Sequence, residues 1–134
     1  REKHKFTGAR IAQPQSWYAF SAGTSGVAFS AVFAGDGTVR VELYIDLGTF
    51  EANKALFDWL QNQKDSIEKQ LGYSVQWERL DGRRASRIYV SRSGSIESIA
   101  EELEQLRKWQ IEKLLHFKRV FAPLVKIGVK ETST

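Results

Sequence analysis

The sequence predicts an α+β fold, in which an antiparallel sheet of about five strands carries two main helices on one face. Short runs rich in β-branched and aromatic residues, separated by glycine-containing turns, fill residues 17–46 and indicate strands. Two longer segments carry apolar residues at spacings of three and four, which is the pattern of amphipathic helices. The length of 134 residues suits one domain, residues 1–134, with the element order βββ-α-ββ-α.

The first three strands are predicted at residues 17–22, 27–34 and 39–46. A turn after the first strand places Phe20 opposite Phe29. The step Asp36-Gly37 is a strong hairpin signal, and a turn centred on it places Val32 opposite Val41. These two registers predict a three-stranded antiparallel meander.

The predicted registers divide the meander into two faces. One face has small residues on its middle strand, Ala28 and Ser30, which leave room for a helix to lie close. The other face, here called the aromatic face, carries Tyr18, Phe20, Phe29, Phe33 and Tyr44. An exposed patch of this size needs a cover. We expect the upstream domain of the same protein or a second copy to cover Phe20, Phe29, Phe33 and Tyr44; the alternatives are packing under a helix and base stacking.

A single helix is predicted from about residue 50 to Leu71, because Gly72 follows as a stop signal. A second, longer helix follows Ser95, with Ser98 and Glu101 fitting a capping box. Pro123 is expected to end or kink it. Acidic residues crowd the start of this helix and basic residues its end, an order that suits the helix dipole.

A second hairpin lies between the two helices. Taking residues 81–84 as a four-residue turn pairs Trp77 with Ile88 and places Glu78 opposite Arg87, a favourable cross-strand charge pair. We predict Glu78 and Arg87 as a structural pair. Trp77 is expected to pack on the inward stripes of both helices, at Leu56, Leu60 and Leu103.

Five linked segments carry a resemblance to a known family. They are residues 41–46 (VELYID), 53–58 (NKALFD), 64–68 (KDSIE), 77–80 (WERL) and 85–88 (ASRI). In this order they resemble the prokaryotic domain-of-unknown-function family numbered 4268, over roughly residues 14–125, with 1–13 and 126–134 as flanking segments. The resemblance implies a C-terminal domain of a longer protein whose preceding region often looks like a restriction endonuclease. It implies no catalytic residue, and the polar opening without methionine fits a C-terminal fragment.

Charge is unevenly distributed along the chain, whose net charge is +4. The stretch from Glu78 to Arg92 holds five arginines and two acids, and such asymmetry favours an anionic partner. Guanidinium groups match phosphate oxygens, so the second hairpin is a candidate nucleic-acid site. The proposed binding residues are Arg79, Arg83, Arg84 and Arg92. The competing interpretation is a structural one, in which these arginines pair locally or solubilise a turn.

Composition excludes several classes of site. The chain has no cysteine, so disulfides and thiolate chemistry are excluded, and its two histidines make a histidine metal cluster improbable. A metal-dependent nuclease using Glu42, Asp46 and Glu78 is one alternative. Such a site also requires a lysine close to its acidic residues, but Glu78 is followed by Arg79. Pairing of Glu42 and Glu78 with arginines on the sheet is the competing explanation.

These observations favour a non-catalytic accessory domain of a prokaryotic nuclease-like protein, which supports nucleic-acid engagement or assembly. The first alternative is a purely protein-protein or dimerisation module, and the second is the metal-dependent nuclease. We expect no catalytic residue, cofactor or metal in this domain. A cytoplasmic location is expected, without membrane association, because no apolar run approaches the ~20 residues of a membrane span.

Overall fold

A computed structural model describes residues 15–95 and 98–133, and within these ranges the chain forms five strands and three helices. The elements are β1 (Gln15–Thr24), β2 (Val27–Phe33), β3 (Thr38–Ile45), α1 (Phe50–Gln61), α2 (Lys64–Leu71), β4 (Gln76–Glu78), β5 (Ser86–Ser93) and α3 (Ala100–Thr132). The predicted α+β class, with an antiparallel sheet, is confirmed. Ile96, predicted to begin the stripe of the long helix, lies outside the described residues.

The strands form one antiparallel sheet in the order β1-β2-β3-β5-β4. The second hairpin is therefore inserted with its later strand inward, so that β5 lies between β3 and β4. The helices cover one face of the sheet, where Phe57, Phe117 and Phe121 pack against its apolar side chains. This layer is the main hydrophobic core.

Two of the predicted registers are confirmed. Phe20 lies opposite Phe29 in the first hairpin. In the second hairpin Trp77 lies opposite Ile88, and Glu78 lies opposite Arg87. Trp77 packs edge-on against Phe57, with ring centroids 6.1 Å apart.

Leu103 belongs to a separate cluster with Phe33, Val39 and Leu106, at the other end of the sheet. The predicted contact between Trp77 and Leu103 is therefore wrong. The start of α3 packs near the Ser93 end of β5, where Gly94 lies against Leu106, whereas Trp77 is opposite Ile88 near the other end of that strand.

The predicted register between β2 and β3 is wrong by one residue. Val32 lies opposite Arg40, not Val41. The reason is the turn: the carboxylate of Asp36 accepts hydrogen bonds from the backbone N–H of Thr38 (3.2 Å) and from its hydroxyl (2.6 Å). Ala34 then donates to the Thr38 carbonyl, 2.9 Å away, so the turn is centred on Asp36 itself.

This shift exchanges the two faces of β2. Phe29 and Phe33 point beneath the helices and are buried in the core. Tyr44 lies on the opposite face, paired with Ala28 on β2 and Arg87 on β5. The structure therefore does not bring Phe20, Phe29, Phe33 and Tyr44 together on one exposed face. For Phe29 and Phe33 the chain's own helices supply the cover that we expected from a partner, whereas Tyr44 is 40% exposed.

The helices also differ from the prediction at their ends. The segment expected to form one helix is two, because α1 ends at Gln61 and α2 begins at Lys64. The capping box at Ser98 is wrong: α3 begins at Ala100, and Ile99 occupies the cap position. Pro123 lies inside α3 on its exposed side, and the helix continues to Thr132.

A buried glutamine fixes α3 to the sheet. The side-chain nitrogen of Gln110 donates to the carbonyls of Val32 (3.1 Å) and Arg40 (3.0 Å), and its oxygen accepts from the indole of Trp17 (2.5 Å). Every polar atom of this buried amide therefore has a partner, as burial requires. One flank of α3 faces β1, where the Arg107 guanidinium lies 5.6 Å from the Trp17 ring. We call this the β1 flank and the opposite side the β5 flank.

Candidate nucleic-acid interface

The loop joining β4 to β5, residues 79–85 and here called the arginine loop, is held by a buried lysine. Lys54 of α1 is 3% exposed. Its ammonium donates to the carbonyls of Arg79 (2.5 Å), Leu80 (2.9 Å) and Ala85 (2.8 Å), and to the hydroxyl of Ser86 (2.9 Å). Burial lowers the pKa of Lys54 from its ordinary value. The three N–H groups of this ammonium are shared among four acceptors, and these contacts hold the backbone of the loop in place.

A second side chain of α1 holds the far side of the arginine loop. The amide of Asn53 donates to the Arg84 carbonyl, 2.9 Å away, and to the carboxylate of Asp46, 3.2 Å away. Leu80 adopts the left-handed conformation, with φ of 59°, which is strained for a leucine. The N–H of Arg83 donates to the Leu80 carbonyl across 2.9 Å, closing a turn at the loop tip.

Carboxylates already pair with two of the loop arginines. Arg79 donates to both oxygens of Asp58, at 2.9 and 3.0 Å, and also contacts Asp81. These hydrogen bonds raise the pKa of Arg79. Arg84 donates to Asp46 across 2.6 Å, and this bond is the main reason that the pKa of Asp46 is lowered. The charges of Arg79 and Arg84 are therefore matched within the domain.

The sheet face opposite the helices carries a network of paired charges. Arg87 donates to Glu78 across 2.6 Å, so the predicted structural pair is present, and it also lies 4.0 Å from Glu42. Arg40 lies 3.7 Å from Glu42 and stacks over the Tyr89 ring at 4.7 Å. Burial raises the pKa of Glu42, and the charges of Arg87 and Arg40 oppose that shift.

The three carboxylates of the nuclease alternative do not form a site. Glu42 and Glu78 are paired with arginines on the sheet, and Asp46 is engaged by Arg84 and Asn53 at the strand end. Within residues 15–95 and 98–133, no group of three or more histidine, aspartate or glutamate side chains is placed to hold a metal ion. These three carboxylates serve instead as partners for arginines.

A different arrangement of cations runs along the β5 flank of α3. The Arg92 guanidinium lies 5.9 Å from the Trp109 ring, and the Lys113 ammonium lies 6.0 Å from the same ring and 4.2 Å from the ring of Tyr73. The Tyr73 hydroxyl is 3.2 Å from Nδ1 of His116. We call these five residues the cation–aromatic row. It joins the end of β5, the middle of α3 and the segment after α2.

The cations of the row have no acidic partner within residues 15–95 and 98–133. Among the described residues, no carboxylate lies within the 4.0 Å of an ion pair from Arg92 or Lys113. Burial raises the pKa of Tyr73 to about 12, so its phenol stays neutral at neutral pH. An aromatic face attracts a cation without cancelling its charge, so Arg92 and Lys113 keep their full charge for an anion.

The prediction named Arg92 but missed Trp109, Lys113, Tyr73 and His116. Trp109 and Lys113 are four residues apart, which places them side by side on a helix, and this spacing was the available signal. Arg83 is exposed at the loop tip, and within the described residues it makes no ion pair. Of the four predicted arginines, only Arg83 and Arg92 are therefore unpaired there.

Aromatic rings also line β1. Trp17 and Tyr18 are stacked, with centroids 5.7 Å apart, and Tyr18 lies 5.6 Å from Phe20. Phe20 in turn contacts the buried Phe29 at 5.4 Å. Tyr18 is 48% exposed, so this ladder runs from the core to the surface at the edge of the sheet.

Comparison with models of known protein families gives a match. The family model described as "Domain of unknown function (DUF4268)" matches residues 2–125. No curated protein and no solved structure matches the chain. In the part of the chain that the structure describes, no helix has both the length and the apolar character needed to cross a membrane.

Proposed function

Because the chain belongs to the DUF4268 family, whose description assigns no function, we propose its function from the geometry of its surface. The domain is a non-catalytic nucleic-acid-binding module that supports a nuclease-like prokaryotic protein. The observation that carries this proposal is the cation–aromatic row, in which Arg92 and Lys113 are held over aromatic rings and have no carboxylate partner among the described residues.

The chemistry of the row suits a phosphate backbone. Guanidinium and ammonium groups donate to phosphate oxygens, and the charged groups of Arg92 and Lys113 lie 5.9 Å from the Trp109 ring and 4.2 Å from the Tyr73 ring. The rings of Trp109 and Tyr73 are already engaged by cations, which favours backbone contact over base stacking. Binding of this type is largely independent of sequence and weakens with salt. The second half of α3 adds further positive charge with Arg119, Lys126 and Lys130, which are exposed.

The paired acids favour a non-catalytic role. Asp46, Asp58 and Glu78 each accept a short charge-assisted hydrogen bond from an arginine. These ion pairs occupy oxygens of the three carboxylates, so the carboxylates are not free to take a proton from a substrate. We therefore propose no catalytic role for them.

The test measures binding by fluorescence anisotropy with labelled single-stranded DNA, duplex DNA and RNA at several salt concentrations. The double variant Arg92→Gln with Lys113→Gln removes two phosphate contacts. We expect binding to all sequences to weaken together, and the slope of log K against log salt to fall by about 2 for a duplex or somewhat less for a single strand.

The matched control is Arg83→Gln with Arg84→Gln, which removes the same formal charge from the exposed tip of the arginine loop. Arg84 already pairs with Asp46, so this control is expected to change the slope by at most about 1. If the control weakens binding and the row variant does not, the arginine loop is the interface. If the wild-type domain binds no nucleic acid at low salt, the proposed function is wrong.

A further inference from the structure

The two edges of the described sheet are protected very differently. β4 is one edge and has only three residues, which leaves little backbone for another strand to pair with. β1 is the other edge and has ten residues, QSWYAFSAGT, without a charge or a proline. Charges, prolines, bulges and short length are the usual devices that keep sheet edges from pairing with other chains. Of these, β1 has only irregular pairing near its two ends.

Irregular pairing limits only the ends of β1. Register shifts occur between Ser16 and Tyr18 and between Ser21 and Thr24. Between them Tyr18, Ala19, Phe20 and Ser21 pair regularly with β2, so their outward-facing backbone groups have the spacing of an ordinary strand. Tyr18 and Ala19 are exposed there.

The β1 flank of α3 presents apolar side chains toward the same edge. Arg107 lies over Trp17 of β1, which fixes the direction of this flank. Ile111 is one helical turn beyond Arg107, and Leu115 is one turn further, so both follow the same flank. Ile111 is 45% exposed and Leu115 is 59% exposed. An open strand edge and an exposed apolar helix flank therefore lie side by side.

We propose that a second copy of this chain pairs with β1 in antiparallel fashion and continues the sheet across a two-fold axis. Such an axis also brings the two α3 helices together, antiparallel and through their β1 flanks. Each copy then supplies the same patch, as an isologous interface requires. The strand edge provides main-chain hydrogen bonds, and Ile111 and Leu115 provide the apolar contact.

Charge complementarity along α3 supports this occupant. On the β1 flank the helix carries Glu104 near its start, 3.8 Å from Lys108, and Lys118 in its second half. In an antiparallel pair these opposite charges of the two copies face each other. With Ile111 at the axis, Glu104 of one copy lies opposite Lys118 of the other, because both are seven residues from Ile111. The cation–aromatic row lies on the other flank and stays open to nucleic acid.

The first experiment is sedimentation velocity of the 134-residue chain over a range of concentrations. We expect a monomer–dimer equilibrium that Ile111→Glu and Ala19→Lys each weaken at least tenfold. Ile127→Glu is the matched control, because Ile127 is also exposed on α3 but lies seventeen residues from Gln110, on the β5 flank. It should leave the equilibrium unchanged, and circular dichroism checks that each variant is folded.

A charge exchange tests the orientation of the helices. Glu104→Lys and Lys118→Glu should each weaken the dimer, and the double variant should restore it, because each single change places like charges opposite one another. A wild-type chain that stays monomeric at every concentration overturns the proposal, and β1 is then covered by another segment or another protein. A dimer that is insensitive to both Ile111→Glu and Ala19→Lys also overturns it.

Discussion

The arginine loop and the cation–aromatic row hold positive charge in opposite ways. The loop concentrates three arginines within residues 79–85, yet Asp58 and Asp46 pair with Arg79 and Arg84. The row draws its two cations from distant parts of the chain and places them over neutral rings. The segment richest in arginine is thus the more neutral surface. What a surface offers an anion depends on how its cations are paired, and the number of cations alone does not show this.

The two regions also differ in what their charges do for the fold. In the arginine loop the buried Lys54 and the ion pairs attach the second hairpin to α1, so the charges there are structural. In the row Lys113 rests on Tyr73 at the surface, where removing it exposes no unpaired group. Stability measurements should therefore separate the two regions, and so should binding measurements.

The largest expected effect is that of Lys54→Met. This change leaves the carbonyls of Leu80 and Ala85 without their donor in a buried site. Each buried unsatisfied group costs about 1–3 kcal/mol, so the free energy of unfolding should fall by roughly 3–5 kcal/mol. Lys113→Met is the matched control and should cost about 1 kcal/mol or less, because it removes a surface cation–π contact. Urea denaturation followed by tryptophan fluorescence measures both.

Equal losses in the two lysine variants would contradict the distinction between the regions. A near-neutral Lys54→Met would show that water satisfies the loop carbonyls. The arginine loop would then be a mobile segment, and its arginines would again be candidates for binding phosphate.

A smaller effect is expected at the ion pair between Asp58 and Arg79. Both side chains are partly exposed, so a double-mutant cycle with Asp58→Asn and Arg79→Gln should give a coupling of about 0.5–1 kcal/mol. The same Asp58→Asn change releases one side of the Arg79 charge. If pairing with carboxylates prevents the arginine loop from binding phosphate, the affinity of the domain for nucleic acid should rise in this variant. Unchanged affinity would show that Arg79 lies outside the reach of the nucleic acid even when unpaired.

The smallest effect is confined to alkaline pH and tests the neutral member of the row. Burial raises the pKa of Tyr73 to about 12, above the ordinary value of 10.0. The folded state then holds this proton more tightly than the unfolded state, so the associated stability is present below pH 10 and is lost as the pH rises toward 12. Absorbance titration of tyrosinate should show a late component that becomes smaller in Tyr73→Phe, because burial also raises the pKa of Tyr89, which supplies the rest. Tyr18→Phe, at an exposed ring, is the control that should retain it.

The contrast between the two hairpins explains what the sequence was able to predict. In the β4–β5 hairpin, Glu78 with Arg87 and Trp77 with Ile88 allow only one sensible register, and that register is correct. β2 is apolar on both faces, so a shift of one residue still pairs hydrophobic side chains. The hydrogen bonds of Asp36 within the turn decide the register between β2 and β3. Matching hydrophobic residues across the two strands takes no account of these bonds.

Of the candidate site, only one residue could be predicted from the sequence. Arg92 was identified because arginines are numerous around it, but its ring partner Trp109 lies on another element. Lys54 resembles an ordinary surface charge of an amphipathic helix, because its acceptors are backbone carbonyls some 25 residues or more away. The pairing of Asp58 with Arg79 has the same character. Such contacts follow from the tertiary fold and leave no periodic pattern in the sequence.

The strand order has a consequence for the way this chain is made. β3 is a central strand whose second neighbour is β5, so one of its edges stays open until Ser93 has been synthesised. The apolar side of the sheet stays uncovered for longer, because α3 is the last of the described elements to be synthesised. While residues 46–93 are made, a nascent chain therefore exposes an unpaired strand edge beside incompletely covered hydrophobic surface. Rare codons or pauses just before α3 would prolong that interval, and aggregation during synthesis should be most sensitive to them there.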